Sequence, residues 1–346
     1  MRRGEALDVA AVDAWLRTVV PGLEGVPEVT QYSGGASNWT YRLRYQDRDL
    51  VLRRPPAGTK ARSAHDVARE YRIQAALRPW FPYVPGMVGL CQDPAVLGVD
   101  FYVMERLEGL IPRRNLPPGL SLAPAEARRL CAGLWDRLVD LHQVDVAAAG
   151  LSGLGKGPGY ARRQVEGWSE RYQKARTWNV PDFGRVRAWL RERTPEDLGA
   201  CLIHNDWRLD NVVLDPGDPA RIVGVLDWEM ATVGDPLMDL GSALAYWVEP
   251  RDPWPMRATR RQPSGLPGML RRAEVVERYL DRTGLRPDGW VFYEVFGLFR
   301  LAGIAQQIYF RYHHRQTRNP AFRHFWLMVH FLHRRCLHLL RRDGRG

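Results

Sequence analysis

The tightest constraint on this chain is a pair of short apolar runs, each joined to side chains that carry hard oxygen atoms. His204-Asn205-Asp206-Trp207-Arg208-Leu209-Asp210-Asn211 runs into Val212-Val213-Leu214, and Ile222-Val223-Gly224-Val225-Leu226 ends on Asp227, sixteen residues beyond Asn211. Runs this short, rich in β-branched residues and bounded by Asp, Asn and Gly, read as buried strands rather than helix. Residues 201–204 make a third such strand ahead of the polar loop. Any fold for this chain must therefore support acidic and amide groups on the ends of short buried strands.

Elsewhere the apolar period divides the chain in two. Residues 5–19 repeat at helical spacing and stop before Pro21, after which period-two alternation marks strands over 29–32, 39–45 and 49–53. Gly34-Gly35 and Asp47-Arg48 supply the turns. A helix over 65–77 closes at Pro79, followed by strands over 87–91 and 101–104. Beyond Gly109 the pattern becomes helical, with Pro124 opening a helix to His142, a basic helix over 160–177 and another over 182–193. Glycine-rich residues 151–159 read as a flexible connection. The fold class is therefore α+β, with a small sheet-bearing part over residues 1–106 and a larger, mostly helical part over 107–346. The linker between them is expected over residues 105–109.

Asp206, Asn211 and Asp227 suit a site for a divalent cation and phosphate. Phosphoryl transfer asks for in-line positioning and charge neutralisation, usually with Mg²⁺ bridging phosphate oxygens. Asp206 is placed to accept a hydrogen bond from an attacking hydroxyl, and Asn211 and Asp227 offer the oxygen ligands that Mg²⁺ prefers.

The order His-x-Asp-x-x-x-x-Asn, then Asp after a short hairpin, resembles the catalytic core of the aminoglycoside phosphotransferase and choline kinase families, distant relatives of protein kinases. The resemblance implies a two-lobed protein-kinase-like fold with an ATP cleft between the lobes, and ATP and Mg²⁺ as cofactors. It implies Asp206 as the catalytic aspartate, Asn211 and Asp227 as the metal ligands, and His204 as a residue that shapes the loop. The continuation from Trp228 through Gly234-Asp235-Pro236-Leu237-Met238-Asp239 is also similar, with Asp235 and Asp239 bracing the loop and the next helix.

In the amino-terminal part, Ser33-Gly34-Gly35-Ala36-Ser37-Asn38 lies between two expected strands, where the resemblance implies a loop covering the phosphates. Glycine lets backbone N–H groups come close to phosphate oxygens. Arg53 falls where the family carries the lysine that grips the α- and β-phosphates. Guanidinium also suits phosphate, but it is planar and bulkier. Glu70 matches the glutamate that pairs with that cation, and the backbone of Glu105 and Leu107 is implied to hold the adenine edge.

The segments over 52–58, 63–71 and 93–98 resemble one branch, the kinase-like domain that some proteins carry fused to an acyl-CoA dehydrogenase, and with the catalytic loops the likeness covers most of residues 30–245. The branch implies a small-molecule hydroxyl acceptor, specifically a hydroxyacyl-CoA. Arg162, Arg163 and Arg171, with the arginine-rich end of the chain, are then expected to meet the acidic CoA phosphates. Trp168, Tyr172, Trp178, Tyr246 and Trp247 are either acceptor lining or core. Arg53 leaves a second reading open, a nucleotide-binding pseudokinase without turnover.

Charge and composition exclude several other classes. The net charge is +11, of which residues 311–346 carry nine arginines against one acid, Asp343. No nucleic-acid-binding motif accompanies that basic segment, so it is read as a solvated helix face and no nucleic-acid partner is expected. Asp8 and Asp13 interrupt any signal-peptide core, no apolar run reaches the roughly 20 residues of a membrane span, and a cytoplasmic protein is expected. Cys91, Cys131, Cys201 and Cys336 lack metal-ligand or disulfide spacing and read as buried thiols. Oligomeric state leaves no mark in the sequence.

Overall fold

The computed structural model describes residues 6–32, 38–56 and 66–344. Ser33, Gly34, Gly35, Ala36 and Ser37 of the expected phosphate loop lie outside the described residues. The elements run α1 (Val9–Val19), β1 (Glu28–Gln31), β2 (Trp39–Arg44), β3 (Asp49–Arg54), α2 (Val67–Leu77), β4 (Met87–Cys91), α3 (Pro94–Leu97) and β5 (Phe101–Glu105). Next come α4 (Pro124–His142), α5 (Tyr160–Ala175), α6 (Gly184–Glu192), β6 (Cys201–Ile203), β7 (Val212–Leu214), β8 (Ile222–Val225) and β9 (Thr232–Gly234). The chain ends with α7 (Pro236–Leu244), α8 (Trp254–Ala258), α9 (Arg272–Thr283), α10 (Val291–His313) and α11 (Phe325–Asp343).

Two compact units emerge. The first holds residues 1–110 together with 212–218 and 222–231, and the second holds 111–211, 219–221 and 232–346. The first unit is built on an antiparallel sheet in the order β1-β2-β3-β5-β4. Its central strand β3 is apolar on both faces, because each face is covered. Leu50 and Leu52 join Val12 and Leu16 of α1, while Val51 joins Val67 of α2 with Tyr102 and Met104. Period two therefore sends Arg53 to the same face as Val51 and α2. The hairpin β7–β8 belongs to this unit, tied by the bridge between Leu110 and Leu214.

The helix starts are set by side-chain caps. Asp8 accepts from Ala11 N at 3.0 Å and Asp66 from Arg69 N at 2.8 Å, so α1 and α2 begin at residues 9 and 67 rather than at 5 and 65.

The second unit is mostly helical. Helix α7 crosses α10 closely at Gly241, where an added Cβ would fall 2.6 Å from Tyr293 O. The expected flexible connection over 151–159 is instead pinned. Asp197 takes the N–H groups of Gly159, Tyr160 and Ala161 at 2.7, 2.7 and 2.9 Å, which caps α5, and Thr232 Oγ1 donates to Leu154 O at 2.9 Å. One half-buried carboxylate thus turns a glycine-rich stretch into an ordered helix entry.

The four cysteines are buried and free. Among the described residues no helix is long and apolar enough to cross a membrane. The basic face of α11 is only partly solvated, since Arg335 reaches Asp252 at 3.3 Å and Glu294 at 3.7 Å. Val329, Leu332, Cys336 and Leu340 form its buried stripe.

Candidate active site

In the second unit, β6 delivers the loop that carries Asp206. His204 is fully buried, and its backbone N–H donates to Asp239 Oδ2 at 2.9 Å, while Asn205 N–H donates to Asp239 Oδ1 at 2.9 Å. Asn205 sits in the left-handed region at φ 65°, which turns the chain sharply after the strand. Its carbonyl accepts from Arg300 Nη2 at 2.8 Å and its side-chain oxygen from Tyr160 OH at 3.2 Å. His204 Nδ1 accepts from Asp206 N at 3.2 Å, which orients the residue expected to meet the hydroxyl.

Downstream, Trp207 Nε1 donates to Leu134 O at 3.2 Å, and Leu209 N donates to Gln262 Oε1 at 2.8 Å. Asp239 itself starts from the first turn of α7, fully buried, with His142 Nε2 at 3.2 Å. Burial opposes its charge, but the hydrogen bond to His142 and the nearby His204 hold its pKa below the ordinary 3.8. Asp235 caps α7 through Leu237 N and Met238 N, both at 2.9 Å, and also takes Leu198 N at 2.7 Å. Its burial pushes its pKa up, against those hydrogen bonds.

The Asp206 carboxylate accepts from Asn211 Nδ2 at 3.0 Å and from Arg208 Nη2 at 3.0 Å. Asn211 Nδ2 also bonds Asp206 O at 2.9 Å, so the amide nitrogen, not the amide oxygen, faces Asp206. Arg208 reaches Asp210 at 3.2 Å and lies over the Tyr246 ring at 4.9 Å. Burial raises the pKa of Asp210, with Arg208 pulling it back. Arg208 had no role in the sequence reading. Its position between two aspartates, at i+2 and i−2, was the available signal.

The first unit carries the other charged cluster. Arg53 Nη1 donates to Glu70 Oε1 at 2.7 Å, and Nη2 lies 3.3 Å from Asp227 Oδ1. Glu70 is 1% exposed, and its burial pushes its pKa up despite Arg53. Burial likewise works against the Arg53 charge, but Glu70, Tyr102 and Asp227 reverse the balance and keep the guanidinium protonated. Asp227 closes β8 at φ 68° with 36% of its side chain exposed. The segment that follows it is latched to α2, whose Arg69 donates to Glu229 O at 3.3 Å and to Ala231 O. Glu105 N bonds Gly86 O at 2.8 Å at the end of β5, and Leu107 fills the space that a side chain at Gly224 would need. That packing explains the glycine inside the second apolar run. Asn38 is buried at the start of β2.

Among the described residues no three His, Cys, Asp or Glu side chains group to hold a metal ion. The aromatic candidates split. Tyr172 and Trp247 are core, Trp178 is 86% exposed, and Trp168 and Tyr246 each lie under an arginine.

Comparison with known proteins agrees with this geometry. The model of the phosphotransferase enzyme family matches residues 28–283. Rat acyl-CoA dehydrogenase family member 11 is 36% identical over 315 residues, covering 88% of this chain and 40% of that protein. Mouse acyl-CoA dehydrogenase family member 10 is 36% identical over 314 residues, covering 90% of this chain and 29% of that protein. The chain thus spans about two fifths or less of these relatives. A crystal structure of an inferred aminoglycoside phosphotransferase from Ralstonia eutropha superposes with TM-score 0.83 at 30% identity, covering 97% of this chain and 99% of that one. Choline kinase from Cryptosporidium parvum, at 12% identity and TM-score 0.63 over 97% of this chain and 96% of its own, shares the fold alone. With a kinase-like α+β fold and a family match that spans both the Arg53–Glu70 pair and the Asp206 loop, the chain belongs to the phosphotransferase enzyme family.

Proposed function

We propose that this chain transfers the γ-phosphoryl group of ATP to a hydroxyl of a small molecule, with Mg²⁺ held by Asn211 and Asp227. The observation that carries the reading is the fixed presentation of Asp206. Asn211 and Arg208 hold its carboxylate, and the Asp239 clamp holds its backbone through His204 and Asn205. A carboxylate so placed accepts the hydrogen bond of an incoming hydroxyl and aims its lone pair. Bound Mg²⁺ would neutralise charge on the phosphates. Arg53, braced by Glu70, would grip the α- and β-phosphates in place of lysine. Asn38 and the glycine-rich residues 33–37 would cover them, and the backbone of Glu105 and Leu107 would hold the base.

Kinship with proteins named as acyl-CoA dehydrogenase family members supports a hydroxyacyl-CoA as the acceptor. The three arginines of α5 differ in what they can offer it. Arg163 is bound to the carbonyls of Gly157 and Pro158, while Arg171 lies over Trp168.

Turnover of MgATP with hydroxylated acceptors, hydroxyacyl-CoAs and amino-sugars included, tests the reading. Asp206→Ala is expected to lower kcat by about 10²–10⁴ with nucleotide affinity retained. Equal turnover in both proteins removes Asp206 from the mechanism, whereas no turnover in either leaves the pseudokinase reading. Asp227→Asn is expected to raise the Mg²⁺ concentration needed for half-maximal rate, and an unchanged Mg²⁺ curve rejects the ligand assignment.

A further inference from the structure

We infer that the second unit carries a subsite for an acidic group of the acceptor, formed by the guanidinium groups of Arg300 and Arg171 around the Trp168 ring beside the Asp206 loop. The inference rests on the reading of Asp206 above and adds the charge of the molecule that Asp206 serves.

Several arginines in this unit meet carboxylates. Arg272 pairs with Asp252 at 2.7 Å, Arg278 with Asp136 at 2.7 Å and Arg191 with Glu166 at 2.9 Å. Arg300 departs from that habit. It is 6% exposed on α10, and among the described residues it pairs with no carboxylate. Its Nη2 donates to Asn205 O at 2.8 Å, the carbonyl next to Asp206, and that single bond satisfies one of five N–H donors.

Arg171 repeats the pattern from α5. Its guanidinium lies 4.7 Å from the Trp168 centroid, with Arg300 at 5.4 Å from the same ring, and among the described residues it too pairs with no carboxylate. Burial and then the like charge of Arg300 push the Arg171 pKa down.

A largely buried guanidinium without a carboxylate is disfavoured, and placing a second cation near it adds repulsion. An anion would remove both penalties, and guanidinium forks match carboxylate and phosphate oxygens. The neighbouring charges do not supply that anion. Arg208 already takes Asp206 and Asp210, and Asp239 is spent on the backbone N–H groups of His204 and Asn205 and on His142. Tyr246 lies under Arg208 at 4.9 Å beside the same loop. Arg171 is exposed enough to admit a ligand, and Arg300 reaches the same Trp168 ring while bonded to the carbonyl before Asp206. A polycationic acceptor would be repelled here.

The test is calorimetric titration of the full chain with MgADP present, using matched pairs that differ in charge. The probes are ω-hydroxy acids of two to six carbons against their amides, and glycerol 3-phosphate against glycerol. At least one acid is expected to bind about tenfold tighter than its neutral partner, the size of a hydrogen-bonded charge contact. Arg171→Gln, which leaves the Asn205 carbonyl untouched, is expected to shrink that gap to about threefold or less while Tm moves by no more than about 2 °C. A gap in the carboxylate series assigns the subsite to a carboxylate, and a gap in the glycerol pair assigns it to a phosphate. If no acid outbinds its neutral partner, whether because both bind equally or neither binds, the subsite is rejected. A gap that survives Arg171→Gln rejects it as well. Failure of phosphoryl transfer itself is read separately from Asp206→Ala turnover, so the two ideas fall to different results.

Discussion

Asp206 and Asp227 are both carboxylates at the end of a short strand, yet the protein holds them in opposite ways. Asp206 sits on a loop whose preceding residues are pinned by a wholly buried acid, Asp239, through two backbone N–H groups and His142. Asp227 is 36% exposed and meets one guanidinium at 3.3 Å, from the Arg53 that Glu70 braces. The first arrangement fixes the backbone and leaves the carboxylate little freedom. The second leaves a side chain that can change partner with modest cost. A group that must aim a hydroxyl gains from rigidity, whereas a group that shares a cation with phosphates gains from adjustability.

The largest effect that would break this contrast is expected at the clamp. Asp239→Ala strands two buried N–H groups and His142, and should lower unfolding free energy by about 3–5 kcal/mol in urea titration. A loss no greater than that of an exposed carboxylate would show that the loop is not held from Asp239. The same residue gives a pH test. Its folded pKa lies below the ordinary 3.8, so its stabilising contribution is complete above that value and fades as pH falls through the folded one. Stability of wild type minus Asp239→Asn should therefore shrink as the pH drops below about 4. A difference that stays constant from pH 6 to 3 rejects that linkage.

Glu70→Ala comes next. Arg53 would keep only Asp227, and a loss of about 2 kcal/mol is expected, smaller because Asp227 is partly exposed and Arg53 retains that partner. A weaker apparent nucleotide affinity in the same variant would sharpen the assignment of Arg53 to phosphates. Unaltered stability would mean that the buried ion pair is replaced by water at no cost.

The smallest effect is expected at Asn205, whose φ of 65° glycine adopts without strain. Both Asn205→Gly and a β-branched substitution give up the hydrogen bond from Tyr160 OH, so Asn205→Gly should cost about 1 kcal/mol and the β-branched residue more, by the added backbone strain. Chemical denaturation of Asn205→Gly and Asn205→Val gives the comparison. Equal stability of the two would dismiss the backbone argument.

Much of the fold was legible along the chain because its signals are local. The alternation over 39–45 and 49–53 became β2 and β3, and the helical period before Pro79 became α2, with ends moved by the Asp66 cap. The connection over 151–159 was misread as flexible. Glycine content is visible in sequence, but Asp197, which orders that stretch, lies 36 to 38 residues beyond the groups it binds. Arg208 and Arg300 were missed as parts of the Asp206 surroundings for a similar reason. In a chain with so many arginines, composition cannot tell which one is buried and which one pairs.

What the sequence settled alone was the list of chemical groups and their strand supports: Asp206, Asn211 and Asp227 at the ends of apolar runs. Those runs bury themselves whatever surrounds them, since short β-branched segments have few other stable uses. Tertiary structure decided the rest: that Asp239, 35 residues downstream of His204, clamps the loop, that Arg300, 95 residues beyond Asn205, holds its carbonyl, and that Arg53 divides its fork between Glu70 and Asp227. Such partners satisfy buried donors and charges only once distant segments are packed together, and the energy of that satisfaction depends on burial that no local pattern encodes.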